Sequence, residues 1–232
     1  MIAVILAGGK GTRLKPYTTV LPKPLVPIGE KAILEILLSR LKRSGVTKAY
    51  LCVNHFAELI MAFLGDGSKL GLEIQYVSED KPLGTVAPIK LISDLPDDFL
   101  VMNGDLLTDL NYRELYDMHL ASAALLTVST YQRTTKIDFG VLDLDESKKI
   151  VTGFREKPVY NFEVSMGVYA MNRKVLDFVP YNTPFGFDDL MLRLLEKKMP
   201  ININRFSGYW LDIGRPEDYE KACIDYENNP ML

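Results

Sequence analysis

The feature that most constrains the fold is a short apolar run near the start of the chain that ends at two glycines. Residues Ile2 to Leu6 are all aliphatic, and Gly8 and Gly9 follow closely. A continuous aliphatic run of this length is typical of a strand buried on both faces, as in a parallel sheet covered by helices. The run is too short to span a membrane and lacks a charged leader, so we expect neither a signal peptide nor a membrane partner.

Composition narrows the class of protein further. The chain of 232 residues is long enough for one large or two small domains, and 47% of its residues are hydrophobic. A net charge of −3 gives no basic footprint for nucleic acid. Cys52 and Cys223 form neither a disulfide framework nor a paired zinc motif, and we expect both to be reduced. These observations indicate an enzyme-sized cytoplasmic domain.

Strand and helix patterns alternate over the first 130 residues. After the first strand, strands are predicted over 49–53, 72–77, 99–102 and 124–130. Helices are predicted over 32–41, 55–64 and 85–93, and a fourth begins at a capping box on Asn111. This alternation predicts right-handed βαβ units, and hence a Rossmann-like α/β fold with a mostly parallel sheet and helices on both faces.

The second part of the chain has more strands. A hairpin is predicted over 139–144 and 150–155, strands over 164–171, 201–206 and 209–213, and helices over 188–198 and from Pro216 onward. No linker composition separates the two parts. We therefore expect a single domain over 1–232, with an alternating α/β half (1–130) and a smaller β-rich lobe in the second half (131–232).

The loop after the first strand combines glycines with cationic side chains. It contains Leu6, Ala7, Gly8, Gly9, Lys10, Gly11, Thr12 and Arg13, and Lys23 follows ten residues later. Backbone N–H groups in such a turn can approach phosphate oxygens closely, and Arg13 and Lys23 add charge for a polyphosphate. The order Lys-Gly-Thr differs from the Gly-Lys-Ser/Thr of a P-loop, and Pro16 prevents the helix that a dinucleotide fingerprint requires.

Five further motifs follow in order. They are Lys81-Pro82-Leu83-Gly84-Thr85, Asn103-Gly104-Asp105, Glu156-Lys157-Pro158, Val164-Ser165-Met166-Gly167-Val168-Tyr169 and Trp210-Leu211-Asp212-Ile213-Gly214. Together with the glycine-rich loop, they resemble the signature of the sugar-1-phosphate nucleotidylyltransferases over essentially the whole chain. The resemblance is strongest to the mannose-1-phosphate guanylyltransferases and their heptose-1-phosphate relatives. The C-terminal β-helix domain that many relatives append is not expected.

The resemblance implies a reaction and a set of residues for it. It also implies that residues 1–130 form a nucleotide-binding half and that the smaller β-rich lobe, 131–232, is a sugar-phosphate-binding half. A sugar 1-phosphate would attack the α-phosphorus of a nucleoside triphosphate, with GTP favoured, to give a nucleotide-sugar for glycan synthesis and pyrophosphate. The implied catalytic residues are Arg13, Lys23, Asp105 and Asp212, of which Asp105 and Asp212 would hold Mg²⁺. The implied nucleotide-binding residues are Leu6, Ala7, Gly8, Gly9, Gly11, Thr12, Arg13, Lys23, Pro82, Gly84, Thr85 and Asn103. The implied sugar-phosphate-binding residues are Gly104, Glu156, Lys157, Ser165, Gly167 and Tyr169.

Several alternatives stay open at this level. The base could be uracil, thymine or cytosine, and the chain could be a regulatory subunit that binds a nucleotide-sugar without turnover. A glycosyltransferase is disfavoured because Asp105-Leu106-Leu107 lacks the Asp-x-Asp metal motif. The expected partners are the two small-molecule substrates, with a homo-oligomer as an open possibility.

Overall fold

A computed structural model describes residues 1–79 and 81–229. The strands are β1 (Ile2–Leu6), β2 (Pro27–Ile28), β3 (Lys31–Ala32), β4 (Lys48–Val53), β5 (Glu73–Ser78), β6 (Asp98–Asn103), β7 (Leu106–Thr108), β8 (Leu126–Lys136), β9 (Val141–Leu144), β10 (Val151–Arg155), β11 (Val159–Asn172), β12 (Ile201–Phe206) and β13 (Trp210–Asp212). The α-helices are α1 (Ile33–Arg43), α2 (Ala57–Leu64), α3 (Tyr112–Leu120), α4 (Phe187–Glu196) and α5 (Pro216–Asn228).

Seven strands form one mixed sheet in the order β12-β8-β11-β6-β1-β4-β5. Strand β1 pairs in parallel with β4 and β6, and β4 pairs in parallel with β5. Strand β11 runs antiparallel to both of its neighbours, β6 and β8. The predicted mostly parallel sheet with helices is therefore confirmed, with one reversed strand inserted in it.

The apolar run of β1 is buried on both faces because helices cover both sides of the sheet. Ala3 and Ile5 belong to a core cluster that includes Leu34 and Leu37 of α1. Val4, between them, belongs to a second cluster on the opposite face. Alternate side chains of a strand point to opposite faces, so a strand placed between two cores must be apolar throughout.

The second half of the chain continues the same sheet. Strands β8, β11 and β12 lie side by side within it, and β9 and β10 pair with each other as a separate hairpin. The strand predicted over 124–130 runs on to Lys136, because its last residues pair with the first residues of β11. Two of the strands predicted for the lobe in the second half, β11 and β12, are thus members of the central sheet.

One predicted helix is shorter than expected. In place of a helix over 85–93, the chain forms a 3₁₀ segment, Ala87–Leu91. The backbone N–H groups of Val86 and Ala87 both donate to the carbonyl of Phe185, at 3.1 and 3.2 Å, and Pro88 has no N–H to donate. The contact with a distant loop therefore fixes the start of this segment, where N–H groups have no partner within the helix. Within the described ranges, no helix is long and apolar enough to cross a membrane.

The predicted cap of α3 is present and gives a direct stability test. The Asn111 side-chain oxygen accepts from the backbone N–H groups of Arg113 and Glu114, at 3.1 and 3.2 Å. Replacing Asn111 with Ala should lower the free energy of unfolding by about 1 kcal/mol, because both donors lose their acceptor. Urea unfolding measures the change, and Asn111→Asp, which keeps the acceptor, should retain most of the stability. Equal losses in the two variants would contradict the capping role.

Candidate functional site

A cavity of about 380 Å³ opens at the carboxyl ends of the central strands. Its lining residues are Leu6, Ala7, Gly8, Gly9, Lys10, Lys23, Pro24, Cys52, Asn54, Glu79, Pro82, Gly84, Thr85, Pro88, Asn103, Gly104 and Asp105. The register of the sheet explains why these segments meet, since Leu6 at the end of β1 lies opposite Cys52 of β4 and Asn103 of β6. Ligands of open α/β sheets bind at this edge.

The glycine-rich loop packs tightly on the side that carries Lys23. Gly11 has a φ of +60°, and a Cβ there would lie 3.0 Å from the Cβ of Lys23 and 3.0 Å from a methyl carbon of Thr18. The Thr18 hydroxyl donates to the Gly11 carbonyl at 2.8 Å. Only glycine fits both the backbone conformation and the space, so this turn fixes where the Lys23 side chain starts.

Lys23 lies between two carboxylates. Its ammonium forms an ion pair with Asp105 Oδ2, and it is 4.0 Å from Asp212 Oδ1. Asp105 and Asp212 are far apart in sequence, but β13 pairs antiparallel with β7 and sets Asp212 opposite Leu106. The backbone N–H of Ile213 also donates to the Asp105 carbonyl at 3.2 Å. Backbone pairing therefore brings together the two aspartates that the family resemblance implied as metal ligands.

The electrostatics of this pair favour an added cation. Burial and the neighbouring Asp105 raise the pKa of Asp212 above its ordinary value, and Lys23 and Arg13 oppose that rise only in part. Asp105 Oδ1 is buried and accepts no hydrogen bond from the described residues. Two hard carboxylate oxygens with unused acceptor capacity fit Mg²⁺, which prefers oxygen ligands and keeps positions for water or phosphate.

A second cavity, of about 500 Å³, lies on the other side of Asp212. Its lining residues are Arg13, Tyr131, Arg133, Trp210, Leu211, Asp212, Gly214, Arg215 and Asp218. The Tyr131 and Trp210 rings lie 5.3 Å apart, and the Trp210 indole N–H donates to the Met166 carbonyl at 3.1 Å. Lys23 and Asp105 line the first cavity and Asp212 lines the second, so the charged cluster stands between them.

The structure brings together most of the predicted nucleotide-binding residues. Nine of them line the first cavity: Leu6, Ala7, Gly8, Gly9, Lys23, Pro82, Gly84, Thr85 and Asn103. Arg13 lines the second cavity instead. Among the cavity-lining residues described above, neither Gly11 nor Thr12 appears. The Thr85 hydroxyl also accepts from the backbone N–H of Phe187, at 2.9 Å, and so helps to hold the start of α4.

The predicted sugar-phosphate residues fall into two groups. Gly167 has a φ of +73°, and a Cβ there would lie 2.5 Å from the Asn103 side-chain nitrogen, so this turn approaches the end of β6 closely. Ser165 Oγ and Tyr169 Oη are 3.1 Å apart beside it. Glu156 and Lys157 follow β10 and line neither of the two cavities described. Gly104 lines the first cavity, next to Asp105.

Sequence reasoning missed several residues of the first cavity, namely Lys10, Pro24, Cys52, Asn54, Glu79 and Pro88. The Glu79 side chain is partly buried, and its Oε2 accepts from the backbone N–H of Leu83 at 2.6 Å. Burial raises the pKa of Cys52 to about 12, which keeps that thiol protonated. The signal that could have found them is position, because Asn54 directly follows β4 and Glu79 directly follows β5.

Comparison with known proteins identifies the family of the chain. Residues 2–229 match the model of a protein family described as Nucleotidyl transferase. The chain belongs to the nucleotidyl transferase family. It is 32% identical over 242 residues to a UTP–glucose-1-phosphate uridylyltransferase of Synechocystis sp., covering 96% of this chain and 62% of that protein. It is 33% identical over 230 residues to a mannose-1-phosphate guanylyltransferase of Mycobacterium tuberculosis, covering 96% of this chain and 64% of that protein.

The chain thus spans a little under two thirds of the length of these two curated relatives. Among solved structures, it is similar to HddC from Yersinia pseudotuberculosis, with a TM-score of 0.74 and 30% identity over 97% of this chain and 99% of HddC. HddC has also been crystallised in complex with GMP-PN, and that structure matches with a TM-score of 0.72 and 28% identity, again over 97% of this chain and 99% of HddC.

The loop that carries Gly84 allows a matched pair of glycine substitutions. Gly84 has a φ of +86°, and a Cβ there would lie 2.9 Å from the carbonyl oxygen of Phe185. Gly84→Ala should therefore cost at least about 1–3 kcal/mol of stability and displace the loop from the cavity. Gly9→Ala is the control, since a Cβ there meets no heavy atom within 4 Å. Urea unfolding of both variants checks this, and equal stabilities would contradict the packing described.

Proposed function

We propose that the protein is a sugar-1-phosphate nucleotidylyltransferase that uses Mg²⁺. It would join a nucleoside triphosphate, preferably GTP, to a sugar 1-phosphate, preferably of a mannose-type hexose or a heptose. The oxygen of the sugar phosphate attacks the α-phosphorus, the bond from that phosphorus to the bridging oxygen breaks, and pyrophosphate leaves with the electron pair. The nucleophile is already an anion, so the reaction needs positioning and charge neutralisation rather than a strong general base.

The observation that carries the proposal is the position of the charged cluster. Lys23, Asp105 and Asp212 stand between a cavity formed by a glycine-rich loop and a second cavity that contains three arginines. A reaction between two phosphates requires a site of this kind, in which two anionic substrates meet at one centre. The family relationship supports the same reaction, because its named relatives transfer nucleotidyl groups to sugar 1-phosphates.

Different residues of the chain would bind different phosphate groups of the substrates. Lys23 would bind the triphosphate from the first cavity, and Arg13 would stabilise the charge that grows on the departing pyrophosphate. Asp105 and Asp212 would hold the metal ion, which supplies further neutralisation of phosphate charge when bound. Within the described ranges, no cluster of three or more His, Cys, Asp or Glu side chains is placed to hold a metal. Substrate oxygens and water would therefore complete the coordination.

The base and the sugar are tested by a substrate matrix. The guanylyltransferase relative and the GMP-PN complex of HddC support GTP, while the Synechocystis relative supports UTP as the alternative. The purified protein is incubated with each of ATP, GTP, CTP, UTP and dTTP against several sugar 1-phosphates, and pyrophosphate release is measured with and without Mg²⁺. No release with any pair would overturn the proposed activity and favour a binding subunit.

Removing the charge of Asp105 or of Asp212 tests the proposed metal site directly. Asp105→Asn and Asp212→Asn should each lower turnover by at least about 10²-fold, in line with the loss of one strong electrostatic contribution. Both variants should fold, because the β7–β13 pairing uses backbone groups that the substitutions leave intact. Asp177→Asn, at an exposed position away from both cavities, is the control. Near-normal Mg²⁺-dependent turnover in both site variants would show that the assignment is wrong.

The roles of Lys157 and Arg13 can be separated by measuring each substrate alone. Lys157→Ala should weaken sugar-phosphate binding roughly ten-fold or more, since a hydrogen bond to a charged group contributes about 1.5–3 kcal/mol. Triphosphate binding should be unchanged. Arg13→Ala should instead lower kcat, and Arg13→Lys should restore it only in part because an ammonium lacks the bidentate fork.

Calorimetry with each substrate, followed by kcat for the three variants, checks this division. Lys157 lines neither of the cavities described, so its role depends on the segment after β10 reaching the bound sugar phosphate. An unchanged sugar-phosphate affinity in Lys157→Ala would place that substrate elsewhere, for example against the arginines of the second cavity.

A further inference from the structure

The hairpin formed by β9 and β10 stands apart from the central sheet. Among the strands of the described ranges, β9 and β10 pair only with each other, in antiparallel fashion. A two-stranded hairpin by itself is marginally stable in water, and it is stabilised when another sheet or a helix packs against it. This hairpin therefore gains stability from any surface that covers one of its faces.

One face of the hairpin is apolar. The register sets Leu142 opposite Phe154 and Leu144 opposite Val151, and residues directly opposite each other share a face. Leu142 and Leu144 are two residues apart on one strand, so the two pairs lie on the same face. Val151 and Phe154 are three residues apart, and they share that face because the pairing shifts by a bulge between Val151 and Gly153.

The rest of the hairpin is polar and well braced. On the opposite face, Asp143 Oδ1 accepts from the Arg155 guanidinium at 2.6 Å. At the turn, the Asp145 carboxylate accepts from the backbone N–H groups of Lys149 and Ile150, both at 3.0 Å. These bonds fix the shape of the hairpin before a partner binds, which lowers the entropy cost of association.

The apolar face is open to solvent. Its four side chains are 48–61% exposed, and two neighbours in the chain are more exposed still, Phe139 at 78% and Ile150 at 63%. A large apolar side chain presents on the order of 200 Å² when fully exposed, so these six leave roughly 700 Å² of apolar surface uncovered. The largest apolar patch of a typical monomer is about 300–600 Å². A standard interface buries about 800 Å² on each partner, which is close to what this patch offers.

The charges around the patch fit a second copy of the same chain. Residues 138–157 contain five acidic and four basic side chains, so two copies of this segment repel each other little. A nearly neutral segment gives no attraction for an anionic membrane surface. The turn carries Glu146 beside Lys148 and Lys149. A two-fold axis can therefore bring opposite charges together at the rim of the patch.

We propose that the apolar face of the β9–β10 hairpin is a homodimer interface, in which the hairpins of two copies pack face to face about a two-fold axis. Such a contact places the same patch against itself. Two patches of roughly 700 Å² together fall within the range of stable interfaces, about 1,200–2,000 Å². Dimerisation does not require the proposed transferase activity, since none of the six apolar side chains lines either cavity.

The first test removes one cross-strand apolar pair and keeps the hairpin. In the double variant Leu142→Thr/Phe154→Thr, threonine retains a high strand propensity, and two threonines opposite each other form a favourable pair. Ile203→Thr is the matched control, because Ile203 is a 49% exposed residue of β12, away from the hairpin. Sedimentation velocity over a wide range of protein concentration measures the dimer dissociation constant of each protein.

The wild type and Ile203→Thr should both sediment as dimers. The double variant should have a dissociation constant at least about 100-fold higher, because each copy loses two anchor side chains at the centre of the interface. A monomeric wild type would overturn the proposal. So would a dimer that the double variant retains, or one that only Ile203→Thr dissociates.

A second test separates loss of the interface from loss of the hairpin itself. Leu142→Lys and Leu142→Glu should each be monomeric, since a two-fold contact brings like charges together. An equimolar mixture of the two should associate, because the charges then attract across the interface. An unfolded hairpin cannot give that rescue, so a mixture that stays monomeric would overturn the proposal.

Hydrogen exchange distinguishes a second copy from a substrate as the occupant of this face. Amides of residues 139–155 should exchange more slowly in the wild-type dimer than in the double variant, with no substrate present. Protection of the same amides only after GTP and mannose 1-phosphate are added would show that the hairpin closes over substrate, and would overturn the proposal.

Discussion

Two carboxylates that would repel each other share one lysine, and the geometry of the candidate site depends on that arrangement. Asp105 and Asp212 are brought together by the antiparallel pairing of β7 with β13, and Lys23 lies between them. Backbone hydrogen bonds hold the aspartates at positions that their own charges disfavour, which is reflected in the raised pKa of Asp212. Carboxylates with a perturbed pKa in a cleft are common at functional sites.

The position of Lys23 follows in turn from the first strand. Strand β1 is central in the sheet, so it is apolar on both faces and ends beside the ends of β4 and β6. The loop that leaves it must turn at once, and the positive φ of Gly11 lets it pack against Lys23 and Thr18. The same strand therefore belongs to the core of the sheet and leads directly into the glycine-rich loop that packs against the lysine.

Structural features that depend on neighbouring residues in the chain could be predicted from the sequence. The apolar runs gave β1, β4 and β6, and the cap on Asn111 gave the start of α3. The resemblance to a known family implied Lys23, Asp105 and Asp212 as site residues, and the structure places these three close together. Features that depend on distant partners could not. The start of the 3₁₀ segment Ala87–Leu91 is bound to the distant Phe185 carbonyl, and the extension of β8 depends on its pairing with β11. Glu79 carries no motif, and only the strand order puts it at the cavity.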